Sequence, residues 1–338
     1  MYNNKKLVFG IFFLFNFSSL LLPLEAGEIG VRSGDSSSKI IKSRFTIDTG
    51  VKTGHFTYQI GGLISNGNQV QFLHFPLSEL RFPLNASLLT ASYKMEISNH
   101  WRGNFDFGIN FSSTPGKMED SDWGIASVIV DGAIDDPDSL DVYSTSSSEM
   151  SLKEYSFHIE RDNGKYVDFF GFETWDTYIG FGFDFQDYDF NIYDVVETYP
   201  STGVEPATVD GKVLIYNFFQ ITPYFSALFE SPKKKKLHLT FNFEISPFVH
   251  ISDFDNHLLR NKISDGSTDG WSAKTEFIAG LRLSPTTDLF LLISSQYTNT
   301  NGWQTQTNNN YSSPSVAKVK LKHISSQNNF RVGGRFWL

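Results

Sequence analysis

The chain contains 338 residues, carries a formal net charge of −9 and has no cysteine. This acidic balance argues against a nucleic-acid partner and favours cationic partners such as basic peptides. Because there are no disulfides, packing or a closed network of hydrogen bonds must stabilise the protein. Aromatic residues make up 16% of the chain. Beyond the amino-terminal region, however, no run reaches the roughly 18 apolar residues that a membrane-spanning helix needs, which excludes such a helix there.

The amino-terminal region is organised like a secretory signal peptide. Lys5 and Lys6 provide a short positive start, an apolar run over 7–24 follows, and small residues suited to cleavage come next. An uncleaved anchor helix is the alternative, and it is disfavoured because the run is short and is interrupted by polar residues. We therefore predict a signal peptide over 1–27 and a single exported domain over 28–338.

Alternation of apolar and polar residues is the strongest local pattern in the exported part. Over 101–112, one face carries Trp, Gly, Phe and Ile, while the other carries Arg, Asn, Asp and Ser. The same alternation recurs over 237–245 and over 330–338. It suits the wall of a membrane barrel, which has lipid outside and polar side chains inside. A soluble β-sandwich would also alternate, but it accounts less well for successive charged residues on the second face.

Strand-like segments and connections alternate along the whole exported chain. We place the strands at 43–60, 77–97, 100–113, 149–161, 166–193, 212–230, 236–252, 270–284, 287–300 and 322–338. We place tight turns at 98–99, 162–164, 231–233 and 284–286, and long polar connections at 61–76, 114–148, 194–211, 253–269 and 301–321. An even strand number, with short periplasmic turns and long outer loops, is typical of bacterial outer-membrane barrels. The sequence therefore predicts an all-β fold, a ten-stranded antiparallel transmembrane β-barrel with long extracellular loops.

Two groups of residues lie where strands leave the predicted outer rim. Asp120 and Asp122 form the first group, and Asp253, Asp255 and His257 form the second. Alternate residues of a strand share a face, so each group points one way, and the barrel interior is the natural direction. A carboxylate beside an imidazole orients the ring to accept a proton from water. A second carboxylate pair opposite can hold that water and shift the pKa values by mutual repulsion.

Each group alone is a weak indicator of catalysis. An Asp-x-Asp sequence is often a solvated loop or part of a Ca²⁺ site, and an Asp-x-His sequence is often only a loop hydrogen bond. Found together on one rim, the two groups favour a water-activating site. The segment 117–141 carries eight acidic residues and one lysine, which suits a cationic substrate but equally suits a solvated acidic loop.

These residues resemble the omptin family of outer-membrane endopeptidases. The family's Asp-x-Asp-Trp sequence is matched by Asp120, Asp122 and Trp123, and its Asp-x-Asp-x-His sequence by Asp253, Asp255 and His257. The Gly-Val-Lys-Thr sequence at 50–53, the Thr-Pro-Tyr sequence at 222–224 and the last strand at 329–338 also resemble the family. The likeness covers most of the exported chain.

The resemblance implies a barrel that projects outward from the membrane and carries an active-site groove at its extracellular mouth. Asp255 and His257 would form the dyad that activates water, and Asp120 and Asp122 would complete the water site, with no metal and no covalent intermediate. Asp253 would help to form an acidic pocket that favours basic residues beside the scissile bond. The implied partners are a protein or peptide substrate and outer-membrane lipid, and dependence on lipopolysaccharide is a further expectation.

Two positions depart from the family pattern. His55 stands where the family has a glutamate that shares the specificity pocket, so we predict that His55 contacts substrate and alters the preference for basic residues. Leu338 ends the chain in place of the usual aromatic residue. The alternative to an enzyme is a non-catalytic barrel, either an adhesin or a small porin. A ten-stranded barrel is narrow and its interior is filled by side chains, which disfavours the porin.

Overall fold

The computed structural model describes residues 43–66, 69–72, 74–123, 139–167, 175–232, 236–308 and 315–338. The predicted signal peptide, 1–27, lies outside these residues. The strands are β1 (Ser43–Asn66), β2 (Gln69–Phe72), β3 (Ser78–Pro83), β4 (Ala86–Glu96), β5 (Trp101–Asn110), β6 (Gly116–Trp123), β7 (Leu140–Val167), β8 (Trp175–Tyr199), β9 (Val204–Glu230), β10 (Leu237–His257), β11 (Lys262–Ser284), β12 (Thr287–Asn308) and β13 (Ser315–Trp337). Within the described ranges, no helix is long and apolar enough to cross a membrane.

The strands pair with their neighbours and close into a ring. β7 to β13 pair in sequence order, and β1 completes the ring by pairing with β13 along most of its length. Between β1 and β7 the wall is built twice, from β4 and β5 at one end and from β3 and β6 at the other. The described chain therefore forms a ten-stranded antiparallel barrel at either level, as predicted.

Prolines mark the breaks between β3 and β4 and between β5 and β6. β3 ends at Pro83 before β4 begins, and Pro115 precedes β6. A proline has no backbone N–H to donate, so it interrupts the ladder of hydrogen bonds at that point. The interruption lets β3 and β6 pair with each other and carry the barrel upward as a separate segment.

Side chains alternate in and out of the barrel as the sequence predicts. On β10, Phe243 and Ile245 are exposed on the outer face, whereas Asn242 and Glu244 are buried in the interior. An outer belt of apolar side chains surrounds the half of the barrel that contains β4 and β5. The belt includes Ile47, Val51, Leu89, Tyr93, Phe157, Ile179, Phe181, Leu289, Ile293, Phe330 and Val332. Lipid covers such a belt in a membrane-spanning barrel.

Charged residues fill the interior of the membrane-spanning half. The guanidinium of Arg102 forms a bidentate pair with Glu230 at 3.0 and 3.1 Å, and it also contacts Glu160. Lys94 on β4 also pairs with Glu160, which lies two strands away on β7. A cavity of about 190 Å³ lies among these and other polar side chains. Buried charges of this kind are tolerated only when they are paired.

A layer of aromatic rings separates this cavity from the opposite end of the barrel. Phe56 stacks on Phe218 with ring centroids 4.0 Å apart, and Tyr188 stacks on Phe218 at 4.4 Å. Phe82 stacks on Tyr216 at 4.6 Å. All five rings are buried. The layer fills the lumen with side chains, which argues against an open pore.

The long connections are shorter than the sequence predicts. Much of 194–211 and 253–269 is regular strand, and the turn between β10 and β11 comprises only 258–261. Polar, glycine-rich sequence resembles a loop, but here it pairs across hairpins that extend beyond the apolar belt. The predicted tight turn at 162–164 is also wrong, because β7 continues to Val167 through an irregularity at that point. The predicted turn at 284–286 is confirmed.

Candidate active site

Two strands on opposing walls carry the predicted site residues. In the ten-stranded ring that contains β3 and β6, here called the upper ring, β6 and β10 lie four strands apart. Their inner faces are therefore opposite each other across the lumen. Asp120 is paired with Leu80, and Asp255 is paired with Tyr216, both of which are buried in the interior. Because paired residues in a ladder share a face, both aspartates point inward. The topology thus brings together residues separated by more than a hundred positions.

Asp255 and His257 form a close carboxylate–imidazole pair. His257 Nε2 lies 3.0 Å from Asp255 Oδ2, and the Asp255 side chain is only 1% exposed while that of His257 is 18% exposed. The buried carboxylate can therefore orient the ring, and the partly exposed ring remains accessible from the mouth. This geometry leaves Nδ1 as the nitrogen available to a reacting water.

Asp120 and Asp122 form the facing acidic pair. Burial raises the pKa of Asp120 well above its usual value, and the negative charges of Asp122 and Asp255 raise it further. Burial also raises the pKa of Asp122, while a hydrogen bond from Ser78 and the charge of Arg260 oppose the rise. Asp255 acts on Asp120 and His257 acts on Asp122, so the two pairs lie within electrostatic reach of each other.

Two further residues adjoin both pairs and were not identified from the sequence. Tyr58 is fully buried, and burial, together with the charges of Asp255, Asp253 and Asp120, raises its pKa well above the usual value, so it stays protonated. Lys262 is the cross-strand partner of His257. Burial lowers the pKa of Lys262, and the charge of Asp255 opposes that effect. The inward-facing position of Tyr58 on β1 would have identified that residue. The position of Lys262 opposite His257 in the β10–β11 hairpin would have identified the other.

Asp253 lies one inward position deeper than Asp255 on β10. Its Oδ2 is 3.3 Å from the hydroxyl of Tyr216 and 3.6 Å from His323 Nε2. The side chains of Asp253 and His323 are 1% and 0% exposed. His323 therefore belongs to this cluster, and its place on the inner face of β13 follows from the alternation with Ser325 and Gln327, both of which are buried.

The structure does not bring His55 to this cluster. His55 is paired with Pro83 and lies on the opposite face of β1 from Phe56 and Tyr58. Its Nδ1 is 3.4 Å from the Arg81 guanidinium, which is exposed on the outside of the barrel. The structure therefore places His55 on the outer face of β1, away from the predicted substrate pocket. The cause is parity, because a residue one position away from an inward side chain faces outward.

We expect Asp120→Asn to stabilise the barrel increasingly as the pH rises. Because the pKa of Asp120 is raised in the fold, ionising this buried carboxylate costs more in the folded than in the unfolded protein. Stability is thus fully retained below the ordinary aspartate pKa of about 3.9 and falls as the pH rises through the raised pKa. Asparagine cannot ionise and removes that fall. Urea unfolding in detergent at several pH values measures the difference, and parallel curves for both proteins would contradict it.

We expect Gly266→Ala to disturb Asp253 directly. A Cβ at Gly266 would stand 1.8 Å from Asp253 Oδ1 and 2.6 Å from Leu321 Cδ2, so the aspartate must move. Overpacking of this kind costs about 1–3 kcal/mol in unfolding free energy. Gly108→Ala is the matched control, because its Cβ would meet nothing closer than 3.6 Å. Equal unfolding midpoints for the two variants would refute the predicted clash.

The fold and this cluster define a class: a membrane-spanning β-barrel with a buried carboxylate–imidazole pair and a facing pair of carboxylates near one end. A model of the omptin family matches residues 74–332, which is more than half of the chain. The chain therefore belongs to the omptin family, and this membership supports an outer-membrane protease.

Among solved structures, the chain is similar to the outer membrane protease OmpT from Escherichia coli, with a TM-score of 0.68 and 13% sequence identity. That similarity covers 88% of this chain and 97% of OmpT, and at this identity it shows the shared fold. The translocator domain of the autotransporter NalP from Neisseria meningitidis covers 87% of this chain and 88% of its own, at 8% identity and a TM-score of 0.36. No curated protein matches the sequence closely.

Proposed function

We propose that the chain is a surface-exposed endopeptidase whose active site opens on the extracellular side of the outer membrane. The observation that carries the proposal is the 3.0 Å contact between His257 Nε2 and Asp255 Oδ2, facing Asp120 and Asp122 across the lumen. No group of three or more potential metal ligands is found among the described residues. The chemistry proposed here needs only the four side chains and one water.

In the proposed reaction, Asp255 holds the imidazole of His257 so that Nδ1 accepts a proton from a water molecule. The water oxygen attacks the carbonyl carbon of the peptide, forming a tetrahedral intermediate. The C–N bond then breaks, and the departing amine takes the proton from His257. Asp120, whose raised pKa favours a protonated carboxyl, can donate a hydrogen bond within the facing pair while Asp122 accepts one from the water.

We further propose that the enzyme favours peptides with basic residues near the cleavage site. Three further aspartates, Asp122, Asp253 and Asp255, lie with the protonated Asp120 in one small region, and the charge of Glu197 also acts on Asp120. Such a concentration of negative charge attracts cationic chains over several ångströms, and salt weakens the attraction. The preference proposed is therefore one for overall positive charge near the mouth.

Outer-membrane lipid is the second proposed partner, with activity dependent on lipopolysaccharide. Lys318, Lys320 and Lys322 alternate along β13 on its outer face, opposite in parity to the buried Leu321 and His323. Lys318 lies over the ring of Trp303 at 5.1 Å, and Lys320 over Phe75 at 5.0 Å. A row of ammonium groups above an apolar belt suits lipid phosphates.

Cleavage of a mixed-sequence peptide library in ¹⁸O-labelled water tests the proposal. We expect one ¹⁸O atom in each new carboxyl group, because water hydrolyses the peptide bond, and we expect cuts near basic residues. The Asp120→Asn, Asp122→Asn double variant provides the control and should cleave at least about 10²-fold more slowly. The library is run with and without lipopolysaccharide. A folded wild-type barrel that cuts no peptide under either condition would support the non-catalytic adhesin instead.

A further inference from the structure

One oxygen of the Asp253 carboxylate is already engaged by the protein's own side chains. Asp253 Oδ2 lies 3.6 Å from His323 Nε2 and accepts a hydrogen bond from Tyr216 at 3.3 Å. Asp253 Oδ1 is buried without a hydrogen-bond partner and faces Gly266, where a Cβ would lie only 1.8 Å away. An acidic subsite that receives a lysine or arginine must present at least one carboxylate oxygen to the substrate. Neither oxygen of Asp253 is accessible.

The His323 ring is held firmly in this position. Its Nδ1 lies 3.0 Å from the hydroxyl of Thr268, which in turn lies 2.7 Å from that of Thr300. The ring packs against Phe56 and Tyr58, with centroids 5.1 and 5.7 Å away. Contacts on both nitrogens and with two aromatic rings fix the side chain, so moving it aside for a substrate would break several of them at once.

We propose that His323 fills the subsite beneath the dyad and thereby removes a strict requirement for lysine or arginine at that subsite. The inference rests on the proposed peptidase function and deepens it. Asp253 lies two residues from Asp255 on the same face of β10, so a substrate side chain beside the scissile bond that points into the barrel meets this pocket. With His323 present, Asp253 adds to the general negative charge but does not select one basic residue.

The proposal predicts a gain of specificity when His323 is removed. In His323→Ala, the ring is replaced by a space that opens toward Asp253, which loses its imidazole partner and keeps the hydrogen bond from Tyr216. A lysine ammonium can then take the place of the imidazole. Adding Asp253→Asn to this variant keeps the space but removes the charge, which makes the double variant the matched control.

The experiment uses peptides of identical composition in which one lysine and one norleucine exchange places along the sequence. Net charge is constant, so the long-range attraction is the same for all peptides. Binding to the refolded full barrel in lipid-supplemented detergent is measured in the His257→Ala background, which prevents turnover. Cleavage of the same peptides is measured in the active background.

For the barrel that retains His323 we expect dissociation constants within about threefold of one another at every lysine position. For His323→Ala we expect tighter binding by at least tenfold, about 1.4 kcal/mol, at one lysine position. The double variant should again show no preferred position. His323→Ser, which keeps a hydroxyl for Thr268, should behave as His323→Ala does and provides a second test if the alanine variant fails to refold.

Two results would overturn the proposal. The first is a strong single-position lysine preference in the presence of His323 that Asp253→Asn abolishes, because Asp253 would then already be open to substrate. The second is a folded His323→Ala or His323→Ser barrel with no position-dependent binding. Failure of the peptidase function is a separate result, namely peptide binding without cleavage in the active background, and the binding data decide the role of His323 in that case also.

Discussion

His257→Ala should reduce kcat/KM for peptide cleavage by about 10³-fold or more while leaving the barrel folded. The ring is the only proposed proton acceptor for the attacking water, and Asp255 Oδ2 lies 3.0 Å from its Nε2. Alanine removes the base without placing new atoms in the site. Because the side chain is 18% exposed, its loss leaves a small, solvent-accessible space and costs little stability.

Asp255→Asn should lower kcat/KM by about 10²–10⁴-fold, because the amide neither stabilises the imidazolium nor fixes the ring in the required tautomer. Asp265→Asn is the matched control, since Asp265 is exposed on the outer face of the neighbouring strand and should keep activity within about twofold. Initial rates on one fluorogenic basic peptide provide the comparison. Equal activity in His257→Ala and wild type would exclude the dyad mechanism.

Arg102→Met should destabilise the barrel by about 3–5 kcal/mol, because removing one member of a buried charge cluster leaves the others uncompensated. Arg102 forms two bonds to Glu230, contacts Glu160 and lies 3.3 Å over the ring of Tyr178. Methionine retains much of the volume and isolates the loss of charge. Urea unfolding in detergent, followed by tryptophan fluorescence, measures the change.

The control for this variant is Arg161→Met, which removes an exposed arginine from a wall of the same barrel and should change stability by no more than about 0.5 kcal/mol. Adding Glu230→Gln to Arg102→Met should recover part of the lost stability. One of the two buried carboxylates that lose their arginine partner then no longer carries a charge. Glu160 keeps its pair with Lys94 but loses its contact with Arg102. The recovery of stability should therefore be incomplete. An unchanged unfolding midpoint in Arg102→Met would contradict the cluster's proposed contribution.

The fold could be predicted largely because each strand has its own local pattern. A side chain's face is set by its position in a strand, so the alternation over 101–112 and 237–245 directly indicated one face toward lipid and one toward a polar interior. The ends of the strands were less predictable. Polar segments such as 253–257 and 301–308 have no apolar face, yet they pair as strands because their neighbours on the upper ring supply the hydrogen-bonding partners.

The sequence by itself determined the barrel, the number of its strands and the two residue pairs that form the candidate site, because alternation and short spacing are local properties. Only the tertiary structure decided which distant residues join those pairs. His323 reaches Asp253 because ring closure places β13 beside β1 and close to the inner faces of β10 and β11, and His55 is excluded because its parity on β1 faces outward. The specificity proposed for this barrel therefore depends on contacts across the lumen, which no spacing along the chain encodes.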